Sequence, residues 1–153
     1  MKVWAFLVVI GAGVASSAAA QEIYFDEALA RAHCEDKWTE RGVLDTRMFN
    51  YCMDRQEDGY HEALQLFNRY SNAEPVELIN EVIAFALEKW ATRREYQMNM
   101  VAYEIEQQGE AYLNIAYEVA NSNVDAAALN SCRDRWLRVG EPNWRMVEYC
   151  LER

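Results

Sequence analysis

Cys34, Cys52, Cys132 and Cys150 carry the most readily usable chemistry in this chain. A thiol can serve as nucleophile, metal ligand or disulfide partner, and its spacing and neighbours separate these uses. No two cysteines form a CxxC pair, so the usual dithiol-exchange spacing is absent. His33 adjoins Cys34, but successive side chains on a helix diverge by about 100°, which does not suit a Cys–His nucleophile. His61 is the only other histidine, which excludes a His-rich metal site. Met98 and Met100 form a pair, too few soft ligands for a methionine relay. The acidic pairs Asp26–Glu27 and Glu57–Asp58 suit solvated faces, since a glycosidase needs two carboxylates set across a cleft. Dinucleotide, P-loop, HExxH and CxxCH motifs are also absent. No catalytic, cofactor-binding or metal residue is therefore assigned, and no cofactor is expected. Disulfide bonding remains as the use of the cysteines.

An internal repeat shows how the cysteines are arranged. Residues 34–56 read CEDKWTERGVLDTRMFNYCMDRQ, and residues 132–153 read CRDRWLRVGEPNWRMVEYCLER. At a constant offset of 98, Cys34, Asp36, Trp38 and Gly42 meet Cys132, Asp134, Trp136 and Gly140. The register continues without a gap through Arg47–Arg145, Met48–Met146, Tyr51–Tyr149, Cys52–Cys150 and Arg55–Arg153. A third copy spans 86–108 at an offset of 52, with Lys89, Trp90, Met100, Tyr103 and Gln108 facing Lys37, Trp38, Met48, Tyr51 and Gln56. This central copy has Ala86 and Glu104 where the cysteines would stand, and Arg94 in place of the glycine. Each copy keeps both cysteines or loses both, which favours Cys34–Cys52 and Cys132–Cys150. The crosswise pairs Cys34–Cys150 and Cys52–Cys132, which would staple the chain ends together, stay open as the alternative.

The elements that position these residues are helical. Only Pro75 and Pro142 interrupt a mature chain rich in Ala, Leu, Glu, Gln and Arg. Phe25, Leu29 and Ala32 lead into Trp38 at helical spacing, and Gly42 suits the left-handed residue that ends a helix. Asp45 or Thr46 can cap the next helix, as Asn143 can in the third copy after Gly140 and Pro142. In both cysteine-bearing copies the cysteines lie about two turns from the bend, so an antiparallel hairpin would set them level. Pro75 suits the first position of a helix, with Asn72 or Glu74 before it. Apolar residues from Leu78 to Val119 predict one long helix, or two with a break near Arg93–Gln97. Such a run needs cover along its length, from the terminal hairpins or from a second subunit. A loop at residues 121–123 precedes a helix from Val124 through Trp136. The shared positions Trp38, Trp90 and Trp136, Met48, Met100 and Met146, and Tyr51, Tyr103 and Tyr149 are expected to form the core of the repeat. An aromatic ligand platform is the sharper reading of the tryptophans.

The ends and the charge bound the setting. Lys2, the apolar run Val3–Ile10 and Ala18-Ala19-Ala20 before Gln21 have the form of a secretory signal peptide cleaved after residue 20. Of 153 residues, 133 would remain, and 14 basic against 25 acidic residues would leave a charge of −11. No later segment is apolar for long enough to span a bilayer. Export leads to an oxidising periplasmic or extracellular setting, where four cysteines form bridges. The acidic balance argues against nucleic acid and against anionic lipid surfaces, and favours a basic protein partner.

The segment CxDKWx₉MxxYCxxxQ resembles small exported bacterial helical proteins with a CxxKW…MxxYC cysteine-hairpin motif and no known activity. The resemblance covers 34–56 and 132–153, and 86–108 without cysteines. It implies a helical, disulfide-bonded, exported protein and brings no known activity to this chain. This chain departs from it in the turn after the tryptophan, where those proteins carry less glycine and more proline and aspartate. The organisation is also similar to twin cysteine-hairpin proteins of the mitochondrial intermembrane space, whose cysteine spacing is shorter and which lack a cleaved signal.

The expectation is a single all-α domain over 21–153, with disulfide-stapled hairpins at both ends of a long central helical segment and three degenerate copies of one unit. The function expected is protein association, with a partner or with a second copy. The alternative is a small secreted hydrolase whose carboxylates cannot be paired from sequence.

Overall fold

The computed structural model describes residues 22–72, 76–138 and 141–153. The signal segment, Glu74, Pro75 and Gly140 lie outside the described residues. Within them, six helices are joined by short links.

The first helix, α1 (Glu27–Trp38), starts where Asp26 accepts the Leu29 amide at 3.0 Å. It stops at Trp38, four residues before Gly42, so the glycine does not end the helix. Instead β1 (Thr39–Glu40) and β2 (Val43–Leu44) form a minimal antiparallel ladder. Arg41 and Gly42 turn between them with φ of 52° and 78°. Two consecutive positive φ values match the twist of a tight hairpin, and glycine meets that demand without strain. Asp45 then caps α2 (Thr46–Ser71), accepting the Met48 amide at 3.1 Å. Of the two cap candidates, the carboxylate outcompetes Thr46, which becomes the first helical residue.

The central segment is not one long helix. α3 (Val76–Trp90) and α4 (Met98–Ala120) fold back on each other across residues 91–97. Ala91 pairs with Tyr96 in an antiparallel bridge, and the Gln97 amide donates to the Trp90 carbonyl at 2.7 Å. The break therefore falls where expected, but it is a sharp reversal. α5 (Ala126–Trp136) begins two residues later than Val124, because Asp125 caps it through the Ala128 amide. It too ends at its tryptophan, before β3 (Leu137–Arg138) and β4 (Glu141–Pro142). Asn143 caps α6 (Trp144–Leu151), accepting the Met146 amide at 3.3 Å.

The six helices thus make three hairpins, α1/α2, α3/α4 and α5/α6. Cys34 bonds Cys52 and Cys132 bonds Cys150, with Cα atoms 5.7 and 5.8 Å apart. The crosswise alternative is not formed. α4 packs along α2, α3 and α6, so much of its cover comes from within the chain. Its Met98, Val101, Ala102 and Ile105 are fully buried, against Val82, Ile83 and Ala86 of α3 and Ala63 and Leu66 of α2. Cys34, Cys52 and Phe49 form a smaller cluster with Trp38 and Met53.

Close backbone approach sets the contact between α2 and α4. A Cβ on Gly59 would lie 2.2 Å from the Asn99 nitrogen, so only glycine fits there. Beside it, buried Gln56 accepts the Met98 amide at 2.8 Å. This substitutes for the missing cap of α4, where Gln97 makes no side-chain cap bond. Gln108 acts similarly on the next hairpin, accepting the Arg145 amide in the first turn of α6 at 3.3 Å. Among the described residues no helix is long and apolar enough to cross a membrane.

Candidate functional site

Of the residues expected as the repeat core, Trp90 and Trp136 pack against the main core and Trp38 against the smaller cluster, whereas the tyrosines do not. Tyr51, Tyr103 and Tyr149 are 58%, 46% and 43% exposed. The tryptophans and methionines of the set are half-buried. Helical phase explains the outcome. On α2 the buried face runs through Phe49, Cys52, Gln56 and Gly59 at spacings of three and four, which turns Tyr51 to the flank. On α4, Val101, Glu104, Ile105 and Gln108 do the same to Tyr103. The deeply buried large residues are others, such as Met98, Tyr96 and Trp144.

These flanking residues meet in a groove. Trp90, Met100, Tyr103, Met146 and Tyr149 line a depression of about 560 Å³ between the second and third hairpins. Phe85, Lys89, Glu104, Gln108, Asn143 and Arg145 complete its walls and floor. A smaller groove, about 180 Å³, separates the first and second hairpins and is lined by His33, Lys37, Trp38, Tyr51, Cys52, Arg55, Gln56, Gln97 and Asn99. Most of its positions correspond to those of the larger one, but the arginines do not: Arg55 matches Gln107 and Arg145 matches Asn99. Residues 33, 37, 38, 51, 52 and 56 recur as 85, 89, 90, 103, 104 and 108, and residues 97 and 99 recur as 143 and 145.

The floor of the larger groove is a polar network centred on Glu104, which stands where the first hairpin has Cys52. Its Oε2 accepts from Lys89 Nζ at 2.9 Å and from the Trp90 indole nitrogen at 3.3 Å, while Oε1 accepts from Gln108 at 2.9 Å. Burial opposes ionisation of this carboxyl. The hydrogen bonds from Gln108, Lys89 and Trp90, with the Lys89 charge, outweigh it and hold the group below its ordinary value. Lys89 also lies over the Phe85 and Trp90 rings, at 5.3 and 5.1 Å from their centres. The central hairpin thus carries a hydrogen-bonded ion pair where the other two carry a disulfide. Sequence comparison of the copies marks Glu104 as a replacement and Gln108 as a shared residue, but their partners are not visible there.

The remaining candidates have other surroundings. Cys34 is in a disulfide and no cysteine is free, so His33 has no thiol to activate. Burial and the nearby Lys37 charge lower the His33 pKa. His61 is exposed and lies 3.9 Å from Glu57. Met98 is in the core while Met100 faces the groove, so the two do not converge. Among the described residues no cluster of His, Cys, Asp and Glu could hold a metal ion. A third depression, about 450 Å³, lies between α4 and α6 and includes Glu118, Glu148 and Glu152. Two of these carboxylates are tied down, Glu118 by the Asn123 amide and Glu148 by the Asn114 amide.

The chain matches no family model, no curated protein and no solved structure.

Proposed function

We propose that this is an exported, disulfide-bonded helical protein that binds a partner polypeptide, built from three copies of one hairpin unit. Three features support the repeat. The first helix of every hairpin ends on its tryptophan. The following pairs, Thr39 with Leu44, Ala91 with Tyr96 and Leu137 with Pro142, fall at the same register. Gln56 and Gln108 each reach the first turn of the next hairpin's second helix. Stacking of short units that cannot bury a core alone is the logic of such an arrangement. Two disulfides suit an oxidising compartment outside the cytosol.

The observation that carries the binding reading is the groove itself. Tyr103 and Tyr149, both exposed, share it with Trp90, Met100 and Met146 above a fully hydrogen-bonded polar floor. Tyrosine, tryptophan and methionine are enriched at protein interfaces, where rigid rings give contact area at small entropic cost. The hydrolase alternative calls for two carboxylates facing a shared substrate, and the groove offers one, Glu104, already engaged by three donors. The acidic net charge favours long-range approach of a basic partner.

A photo-crosslinking side chain placed at Tyr103 or Tyr149 tests the reading in the producing cell. One discrete crosslinked protein is expected from both positions and not from exposed Asp58 on α2. Identical products from all three positions, or none from the groove, would refute it.

A further inference from the structure

We propose that the two inter-hairpin grooves are sites for acidic segments of the partner, each taking a carboxylate beside an aromatic or aliphatic side chain. The proposal rests on the binding reading above and adds the chemistry of the ligand. Acidic residues outnumber basic ones by 25 to 15 in this chain, yet the grooves invert that balance. The smaller groove is lined by Lys37 and Arg55 and by no carboxylate, although Asp36 and Glu95 lie near enough to act on His33 at its edge. In the larger, Lys89 and the one carboxylate, Glu104, pair with each other, which leaves Arg145 as the cation outside that pair. Among the described residues, Lys37, Arg55 and Arg145 make no ion pair. Each groove therefore presents at least one cation outside any ion pair, beside a tyrosine and a tryptophan.

Those donors suit a carboxylate, which accepts charge-assisted hydrogen bonds from guanidinium and ammonium groups. The rings and, in the larger groove, Met100 and Met146 suit an adjacent apolar side chain. The overall negative charge of the protein disfavours extended polyanions such as nucleic acid or an anionic bilayer. A local acidic segment on a partner that is itself basic meets both fields. Two such sites, between successive hairpins, further suit a ligand carrying two acidic segments, with the gain in avidity that this brings.

Each groove contains its own reporter, the indole of Trp38 or of Trp90. The full-length disulfide-bonded protein, labelled with ¹⁵N, is titrated with a short synthetic peptide of alternating Glu and Phe. Two matched peptides carry Gln or Lys in place of Glu. Both indole resonances should move with the Glu peptide, and the Gln and Lys peptides should bind about tenfold or more weakly, the worth of one charge-assisted hydrogen bond. Arg55→Glu should abolish the response of Trp38 alone, and Arg145→Glu that of Trp90 alone, with the buried Trp144 resonance unmoved as a check on folding. Equal or tighter binding of the Lys peptide, response of one indole only, or indifference to both charge reversals would overturn the proposal. If the Lys peptide moves the indoles more strongly, groove binding survives and the acidic specificity falls. If no peptide moves either indole, both readings fall.

Discussion

The Trp90 indole nitrogen donates to Glu104 at 3.3 Å, whereas the indole nitrogen of Trp38, at the same point of the first hairpin, is buried without a partner. The exchange of Cys52 for Glu104 accounts for the difference. A disulfide closes the first hairpin but offers the indole no strong acceptor. The carboxylate joins α3 to α4 and satisfies the indole at once. Replacing it by glutamine puts an N–H₂ group where one of two accepting oxygens was. Glu104→Gln should cost about 1.5–3 kcal/mol, the range for hydrogen bonds to a charged group. Chemical denaturation at neutral pH measures it.

The same carboxyl gives that difference a pH dependence. Its pKa is depressed in the folded state, so the unfolded chain binds the proton more readily. The stability it contributes is therefore present above the ordinary glutamate range and is lost as pH falls through the lower folded value. The gap between the wild type and Glu104→Gln should be full at neutral pH and should narrow below about pH 4. A gap that stays constant down to strongly acidic pH would show that Glu104 is not ionised in the fold.

Each disulfide closes a loop of 18 residues, for which the chain-entropy model gives roughly 3 kcal/mol. The double variant Cys34→Ala with Cys52→Ala should lose about that much, as should Cys132→Ala with Cys150→Ala. Non-reducing peptide maps should show Cys34 peptides joined to Cys52 peptides and none joined to Cys150.

Two glycines should fail for opposite reasons. Gly59→Ala drives a Cβ into the Asn99 backbone, an overpacking cost of about 1–3 kcal/mol that relaxation of side chains alone cannot relieve. At Gly42 a Cβ meets nothing within 4 Å, but the residue sits at φ 78°. Gly42→Ala should cost roughly 1–2 kcal/mol from backbone strain. Gly42→Asn should recover most of that, and Gly59→Asn should not. Thermal unfolding of the four variants separates the two causes.

Tyr103→Ala and Tyr149→Ala should leave stability within about 0.5 kcal/mol of the wild type, since both residues lie at the surface outside the core. Either change should nevertheless remove most capture of the partner identified by groove crosslinking. Unfolding curves and quantified crosslink yield make the comparison. A large loss of stability would return the tyrosines to a packing role.

Much of the hairpin organisation was legible in the sequence, because it depends on chemistry acting over a few residues. Asp45 and Asn143 cap their helices by reaching an amide three residues on. The joint presence or absence of cysteines in each copy pointed to pairing within copies, and both bridges close that way. The lapse in apolar periodicity near Arg93–Gln97 left one long helix and two helices both open, and the chain forms two.

What only the tertiary structure decided lies at long sequence separation. Gln56 reaches the Met98 amide 42 residues away, and Gln108 the Arg145 amide 37 residues away. No local pattern encodes those distances, although the match of Gln56 to Gln108 marked both residues. The role of Gly42 also changed. A helix stop and a hairpin turn both demand positive φ, and only the pairing of Thr39 with Leu44 chooses between them. The shared tyrosines show the same limit. Recurrence identified them as important to the unit, but recurrence does not distinguish a core from a groove. That depends on which neighbouring hairpin covers each helix face, and here the stacking leaves Tyr51, Tyr103 and Tyr149 at the surface while burying Cys52, Glu104 and Val147 on the same helices.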